Sequence, residues 1–295
     1  MSDVDRAAAL IRAGRLVALP TETVYGLGAN ALDAEAVERI FTAKNRPHTS
    51  PLIVHVDSIE MARGLASAWP RSAEMLARRY WPGPLTLVLP KNSTIPDIVT
   101  AGLPTVGLRM PDHPLALKLI RAAGVPIAAP SANRFTELSP TLAAHITELL
   151  ADFVLDGGPA HVGIESTVLS LAGVPELLRP GVIPLPDLEA LIGPIRSALP
   201  VTPGDAHPAP GMHPRHYRPA TPLYLLSPSS KPPDGKGVWL RIGAEMPSDP
   251  RAFAAALYTK LHELDKKGLD WIAVETPPDT PEWAGVLDRL RRAAV

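Results

Sequence analysis

The chain contains no cysteine. Disulfide bonds, thiol catalysis and cysteine-ligated zinc are therefore excluded. Long apolar runs are missing as well, since none approaches the roughly 20 residues that a membrane-spanning helix needs. The first residues do not resemble a secretory signal, because Asp3, Asp5 and Arg6 interrupt any apolar stretch there. We therefore expect a globular protein in the cytoplasm.

An excess of charge of either sign is also absent. The 29 basic and 30 acidic residues give a net charge of −1. A protein that holds RNA mainly through its phosphates usually shows a basic excess or a strong basic stripe. A small anionic ligand held by a few well-placed cations fits this composition better.

Proline is abundant: 35 residues, about twice the average frequency. The prolines become denser between Pro194 and Pro233, where hydrophobic periodicity fades and an extended linker is predicted. A chain of 295 residues exceeds the usual single core. We expect a large domain over residues 1–205, a proline-rich linker or lid over 206–221, and a small α/β domain over 222–295.

The expected fold class is α/β, with a twisted mixed sheet covered by helices in the first domain. Helices are predicted at 4–13, after Asp33, at 59–66 and 72–80, and from Pro114 and Pro140, with Ser139 as the N-cap of the last. Strands are predicted at 16–19, 52–56, 85–89, 105–110, 127–129, 153–155, 167–171 and 176–178. In the C-terminal domain the patterns predict strands at 223–226, 238–242 and 271–274, and helices at 251–266 and 282–292.

Two cations end the helix that begins after Asp33. Lys44 lies two turns beyond Val37, on the stripe that otherwise faces the core, where a lysine is costly unless an anion meets it. Pro47 ends the helix and forces Arg46 into an extended conformation. The pair fits a phosphate clamp or, alternatively, a cap that opposes the helix dipole.

The strand that contains Arg109 has one polar face. Alternation places Thr105, Gly107 and Arg109 together, so a ligand can approach the backbone at Gly107 while the guanidinium binds a carboxylate or phosphate. His55 shares a strand face with Ile53 among apolar residues. By itself such a histidine is more often a core residue than a ligand contact.

Seven segments carry a further signal. They are Leu19-Pro20-Thr21-Glu22-Thr23-Val24-Tyr25-Gly26-Leu27-Gly28, Lys44-Asn45-Arg46-Pro47, Val106-Gly107-Leu108-Arg109-Met110-Pro111, Pro130-Ser131-Ala132-Asn133, Glu165-Ser166-Thr167-Val168, Leu178-Arg179-Pro180-Gly181 and Pro210-Gly211-Met212. In these segments and in their order, the chain resembles the YrdC-like family in its longer two-domain threonylcarbamoyl-AMP synthase form.

The resemblance implies a synthase that joins L-threonine, bicarbonate or CO2 and ATP, and that releases pyrophosphate. It implies a threonine pocket made of Thr23, His55, Arg109, Ala129 and Ser166. It implies ATP contacts from Lys44, Arg46, Ser50, Thr105, Ser131, Asn133, Ser139, Arg179 and Tyr217. No catalytic residue is certain, although Lys44 and Arg46 can stabilise developing charge.

Mg²⁺ is expected to arrive with ATP, because carboxylates for an all-protein cage are scarce near these motifs. A downstream transferase would pass the threonylcarbamoyl group to tRNA, with weak or indirect tRNA contact by this chain. Asn45 and Ser50 stand where the family usually has glycine and often has asparagine, yet neither change removes a charge.

Two other interpretations remain open. One is an RNA-binding or ribosome-assembly module with the same concave basic surface. The other is the carbamoyl-transfer relative of hydrogenase maturation, which carries cysteine-rich zinc segments that this chain lacks. His207, His213 and His216 cluster in the linker, but their spacing matches no strong metal-binding pattern.

Overall fold

A computed structural model describes residues 2–147, 149–198 and 216–295. Its larger sheet has ten strands within these residues, in the order β10-β9-β8-β4-β5-β3-β6-β2-β1-β7, with parallel and antiparallel neighbours mixed. The strands are β1 (Val17–Leu19), β2 (Gly26–Asn30), β3 (Ile53–His55), β4 (Leu85–Pro90), β5 (Thr105–Arg109), β6 (Ile127–Ala128), β7 (Phe153–Val154), β8 (Thr167–Ser170), β9 (Glu176–Arg179) and β10 (Arg196–Ser197).

Six α-helices cover this sheet in the described residues. They are α1 (Asp3–Arg12), α2 (Ala34–Lys44), α3 (Ile59–Leu65), α4 (Arg71–Tyr80), α5 (Pro114–Ala123) and α6 (Leu185–Ile192). Short 3-10 helices occur at Asp97–Thr100 and Ala143–His145.

The local sequence accounts for the ends of α2. The Asp33 side chain accepts hydrogen bonds from the backbone amides of Glu35 and Ala36, as an N-cap should. Asn45 ends the helix in the left-handed conformation at φ 50°, which asparagine tolerates better than most residues. Lys44 is therefore fixed in the last turn, on the buried face.

The smaller sheet is fully parallel. Its order is β11-β13-β12, with β11 (Leu223–Leu226), β12 (Gly237–Leu240) and β13 (Trp271–Glu275). Helices α7 (Pro250–Asp265) and α8 (Ala284–Ala293) pack on it. One apolar cluster joins this domain to Val24, Leu138 and Ile164 of the first domain, so the two domains share buried surface.

The predicted fold class, a mixed helix-covered sheet plus a small α/β domain, is confirmed. One local prediction is wrong: no helix begins at Pro140, and Ser139 caps none. Ser139 instead donates its hydroxyl to Glu165 at 2.5 Å. The prediction failed because the Ser139 hydroxyl donates a hydrogen bond to Glu165, a residue distant in sequence that the local pattern does not reveal. Strand β2 and helix α6 were not predicted.

Most of the predicted linker lies outside the described residues, as do His207, His213 and the motif at Pro210. The domain boundaries at 205 and 222 therefore remain a prediction. Within the described ranges, no helix combines the length and the apolar character that crossing a membrane requires.

Candidate functional site

One narrow cleft, with a free volume of about 50 Å³, collects most of the residues that the motifs singled out. The predicted site residues on its wall are Thr23, Arg46, His55, Arg109, Ala129, Ser131, Ser166, Arg179 and Tyr217. Thr21, Val24, Gly26, Ile53, Pro130, Glu165 and His216 complete the lining.

Each buried acidic or basic side chain among the described residues either lines this cleft or contacts a residue that lines it. Full burial of acidic and basic side chains is rare, and clustering of such groups marks functional sites. With every group ionised, five cations face two carboxylates, an excess that favours an anionic ligand. The seven residues are Glu22, Lys44, Arg46, Arg109, Glu165, Arg179 and Arg289.

Arg46 is held beside the cleft by neutral groups. Its Nη2 donates to Ser50 Oγ at 2.6 Å and to the Pro51 carbonyl at 3.0 Å. Burial lowers its pKa to about 10, so the guanidinium stays charged at neutral pH. No carboxylate forms an ion pair with it in the described part of the chain. An incoming phosphate would supply the missing countercharge.

Lys44 lies behind the wall of the cleft. Its Nζ donates to the carbonyls of Ser131, at 2.6 Å, and Asn133. Burial, reinforced by the charge of Arg46, lowers the Lys44 pKa well below its ordinary value. In this conformation Lys44 fixes the Ser131–Asn133 loop from behind.

Arg109 and His55 face each other across paired strands β5 and β3. The Arg109 guanidinium lies 2.7 Å from the carboxylate of Glu22, and both side chains are almost completely buried. Burial and the nearby Arg109 charge lower the His55 pKa to about 3. His55 is therefore neutral at physiological pH. Its Nδ1 has no hydrogen-bond partner among the described residues and can serve a ligand.

Arg179 ties strand β9 to the residue before β8. Its Nε and Nη2 donate to the Ser166 carbonyl at 3.1 and 3.0 Å, and Nη2 also reaches Ser166 Oγ at 3.1 Å. Ser166 Oγ is also 2.8 Å from Thr86 Oγ1. A predicted threonine contact and a predicted ATP contact are thus one hydrogen-bonded unit.

Tyr217, within the C-terminal part of the predicted linker, lines the cleft. It is buried, adopts φ 65°, and has His216 packed edge-on at 4.1 Å between ring centroids. Its hydroxyl has no hydrogen-bond partner among the described residues. A buried, unsatisfied hydroxyl beside the cleft is available to a bound ligand.

Five predicted contacts do not line the cleft: Lys44, Ser50, Thr105, Asn133 and Ser139. Ser50 lies behind the wall as the hydrogen-bond acceptor of Arg46. Thr105, at the start of β5, pairs with Pro90 on β4. A Cβ on Gly107 would meet the side chains of Thr86 at 3.3 Å and Ile53 at 3.7 Å, and Gly107 is not among the residues that line the cleft. The expected ligand approach at Gly107 stays a prediction.

Sequence reasoning missed Glu22, Glu165 and Arg289 as members of this site. The first two stood inside recognised motifs, and their charge among small polar neighbours was the available signal. Arg289 carried no signal, because it sits on α8 among other basic residues and 124 positions from its partner Glu165.

The fold and the site together define an α/β protein with a cation-rich cleft for small anionic ligands. Sequence profiles match two families along the chain, one described as "Telomere recombination" over residues 9–181 and one described as "Threonylcarbamoyl-AMP synthase, C-terminal domain" over residues 183–295.

Relatives that match almost the whole chain carry the name of the second of these families. Proteins named threonylcarbamoyl-AMP synthase are similar to this chain in Pyrococcus abyssi (44% identity, 98% of this chain and 93% of the relative) and in Bacillus subtilis (42%, 99% and 92%). The crystal structure of P. abyssi Sua5 complexed with L-threonine superposes with a TM-score of 0.92, at 41% identity, over 100% of this chain and 95% of that one. The chain belongs to the threonylcarbamoyl-AMP synthase family.

Proposed function

We propose that this chain is an L-threonylcarbamoyladenylate synthase, a nucleotidyltransferase. The threonine amine captures CO2 as a carbamate, the carbamate oxygen attacks the α-phosphorus of ATP, and pyrophosphate leaves. The observation that carries the proposal is the collection of buried cations around one cleft. The family relationship supplies the identity of the substrates.

The threonine site is assigned to Thr23, His55, Arg109, Ala129 and Ser166, which all line the cleft. Arg109 pairs with the threonine carboxylate as a charge-assisted donor. The neutral His55 ring offers a free nitrogen to the amine or hydroxyl and adds no charge that would repel the amine.

The triphosphate is assigned to Arg46, Ser131 and Arg179, with Tyr217 over the nucleotide. Four further predicted ATP contacts either support these residues from behind the wall of the cleft or reach ATP after a local movement: Lys44, Ser50, Asn133 and Ser139. Thr105 remains a proposed nucleotide contact. The predicted linker over residues 206–221, which contains Tyr217, is proposed to act as a lid that excludes water from an adenylate that water would hydrolyse.

The chain's own contribution to chemistry is to position the substrates and neutralise charge. A carbamate already carries its attacking oxygen, so no side chain has to remove a proton during adenylation. Mg²⁺ would arrive with ATP and would supply charge neutralisation there. Glu165 on the wall of the cleft and Glu22 behind it are already paired with arginines, so these carboxylates are not free to hold a metal ion.

The product is an activated acyl phosphate, so a transferase must consume it. We propose that this partner transfers the threonylcarbamoyl group to tRNA in the cytoplasm, while this chain contacts tRNA weakly or not at all. The alternative of an RNA-binding module is less favoured, because the buried cations face a small cleft and the net charge is −1.

Pyrophosphate release tests the proposal. The protein is incubated with Mg²⁺-ATP, with and without bicarbonate, and with each of threonine, serine and valine. Release should require both bicarbonate and amino acid, and threonine should exceed serine by about tenfold, the usual effect of one methyl contact. ATP turnover that ignores threonine would refute the assignment. Steeply salt-dependent RNA binding without turnover would favour the binding module.

A further inference from the structure

Arg289 of α8 is a completely buried arginine in the C-terminal domain. Its guanidinium reaches into the first domain and makes three bonds there. Nε donates to Glu165 Oε2 at 2.7 Å, Nη2 to the Glu165 carbonyl at 3.1 Å, and Nη1 to the Pro180 carbonyl at 3.0 Å. A planar fork can hold these acceptors together, whereas an ammonium group cannot.

The two segments that Arg289 binds are the two that carry cleft residues. Glu165 precedes Ser166, and Pro180 follows Arg179. Ser166 and Arg179 are themselves joined by three hydrogen bonds. The two segments are therefore held together twice. The Arg289 guanidinium binds both from outside the cleft, and the Arg179 guanidinium joins them at the wall of the cleft.

The backbone of α8 is built for this close approach. Gly285 lies one turn before Arg289, and a Cβ at that position would stand 2.5 Å from the Gly181 carbonyl. Only a residue without a side chain lets α8 lie directly on the Pro180–Gly181 turn. The Arg289 guanidinium also stands 5.3 Å over the ring of Tyr217, which lines the cleft.

The charge of Arg289 is balanced by two carboxylates, that of Glu165 and that of Asp288, whose Oδ2 accepts from Arg289 Nη1 at 2.7 Å. Glu165 accepts from Ser139 at 2.5 Å and from the Tyr258 hydroxyl at 3.3 Å as well as from Arg289. Burial opposes ionisation of Glu165, but Arg289 and then Arg179 outweigh it and lower the Glu165 pKa. Without Arg289, this buried carboxylate would turn to its second cation, Arg179.

We propose that Arg289 is a positioning residue of the nucleotide site, through which the C-terminal domain sets the geometry of Ser166, Arg179 and Tyr217. The inference rests on the proposed function, since it assigns Arg179 and Tyr217 to ATP. It gives the C-terminal domain a defined part in catalysis: the first domain supplies the contacts with substrate, and α8 locks them in place.

The test compares full-length variants at a temperature where circular dichroism shows all of them folded. Arg289→Lys keeps the charge and loses the fork, and Arg289→Met loses both. The double variant Arg289→Met/Glu165→Gln also removes the Glu165 carboxylate charge, which Arg289→Met would leave buried without this partner, and it should therefore be less destabilised. Arg291→Met, an exposed arginine on the same helix, is the matched control. Binding of Mg²⁺-ATP without threonine is measured by calorimetry.

The Kd for ATP should rise about tenfold or more in Arg289→Met and in the double variant, as expected when an outer support of a site is lost. It should rise less in Arg289→Lys and not at all in Arg291→Met. A purely structural role would lower the melting temperature while the folded double variant bound ATP like the wild type, and that result would overturn the inference. An unchanged Kd in Arg289→Lys would also overturn the role given to the fork.

The wild type separates this inference from the proposed function. Absence of threonine-dependent pyrophosphate release in the wild type counts against the function itself. Wild-type release together with unchanged ATP affinity in the Arg289 variants counts against the inference alone.

Discussion

The carboxylate of Glu22 lies 2.7 Å from the guanidinium of Arg109, with 1% and 5% of the two side chains exposed. This contact is an ion pair, and Arg109 also makes a long hydrogen bond from Nε to the Gly83 carbonyl at 3.4 Å. A loop residue thus holds the cation that we assign to the substrate carboxylate. Because each partner is buried, neither tolerates loss of the other.

Replacing Glu22 with glutamine should destabilise the protein by about 3 kcal/mol, because an unpaired charge would remain buried. The double variant Glu22→Gln/Arg109→Met should recover much of this loss, since no charge is then left alone. Urea unfolding measures both. The control is Glu137→Gln, an exposed carboxylate. If the single and double variants lost equal stability, the two side chains would not be coupled.

Arg109→Ala and Arg46→Ala should separate the two substrates. Loss of a charged hydrogen-bond partner costs roughly 2–4 kcal/mol, about 30-fold to 1000-fold in affinity. Arg109→Ala should weaken threonine binding far more than ATP binding, and Arg46→Ala should do the reverse. Calorimetry with each ligand measures the effect, with exposed Arg78→Ala as control. Equal losses of both ligands in both variants would contradict the division.

Acid should weaken the contact between the two domains at His145 and His262. The rings stack with centroids 3.9 Å apart. Burial, then the charges of His262 and Lys266, lower the His145 pKa to about 4, below its ordinary value of 6.5. The pKa of His262 is lowered as well, first by burial.

The unfolded chain therefore binds these protons first as pH falls. This contribution to stability is complete above about pH 6.5 and is lost as pH falls towards 4. His145→Phe should keep a stacked ring and reduce the pH slope of unfolding free energy by about one proton. The control is His161→Phe, which replaces an exposed histidine and leaves the stacked pair intact. The hypothesis fails if the His145 and His161 variants show the same slope between pH 4 and 6.5.

Gly285→Ala should destabilise the protein by about 1–3 kcal/mol, because the new methyl group would push α8 away from the Gly181 backbone. Gly64→Ala is the matched control. It lies in α3 with nothing within 4 Å of the added Cβ. Alanine there should stabilise the helix by about 1 kcal/mol. Thermal unfolding of both variants checks the opposite signs.

Local chemistry in the sequence was sufficient to predict much of the fold. The N-cap at Asp33 and the proline start of α5 depend on residues within one turn, so the chain specifies them without tertiary context. The same holds for the strand alternation that places Thr105, Gly107 and Arg109 on one face of β5. The order of the motifs was enough to predict the family.

Only the tertiary structure decided which charges share the cleft. In the sequence Ser139 has the pattern of a helix cap, but in the structure its hydroxyl donates to Glu165, 26 positions away. In the sequence Arg289 has the pattern of a surface arginine, but in the structure α8 packs on Gly181 and Arg289 is buried. Periodicity reports which face of an element is buried, but the partner of a buried charge depends on long-range packing. The role of Glu22 depends on the packing that places Arg109 beside it within the first domain, and the roles of Glu165 and Arg289 depend on the contact between the two domains.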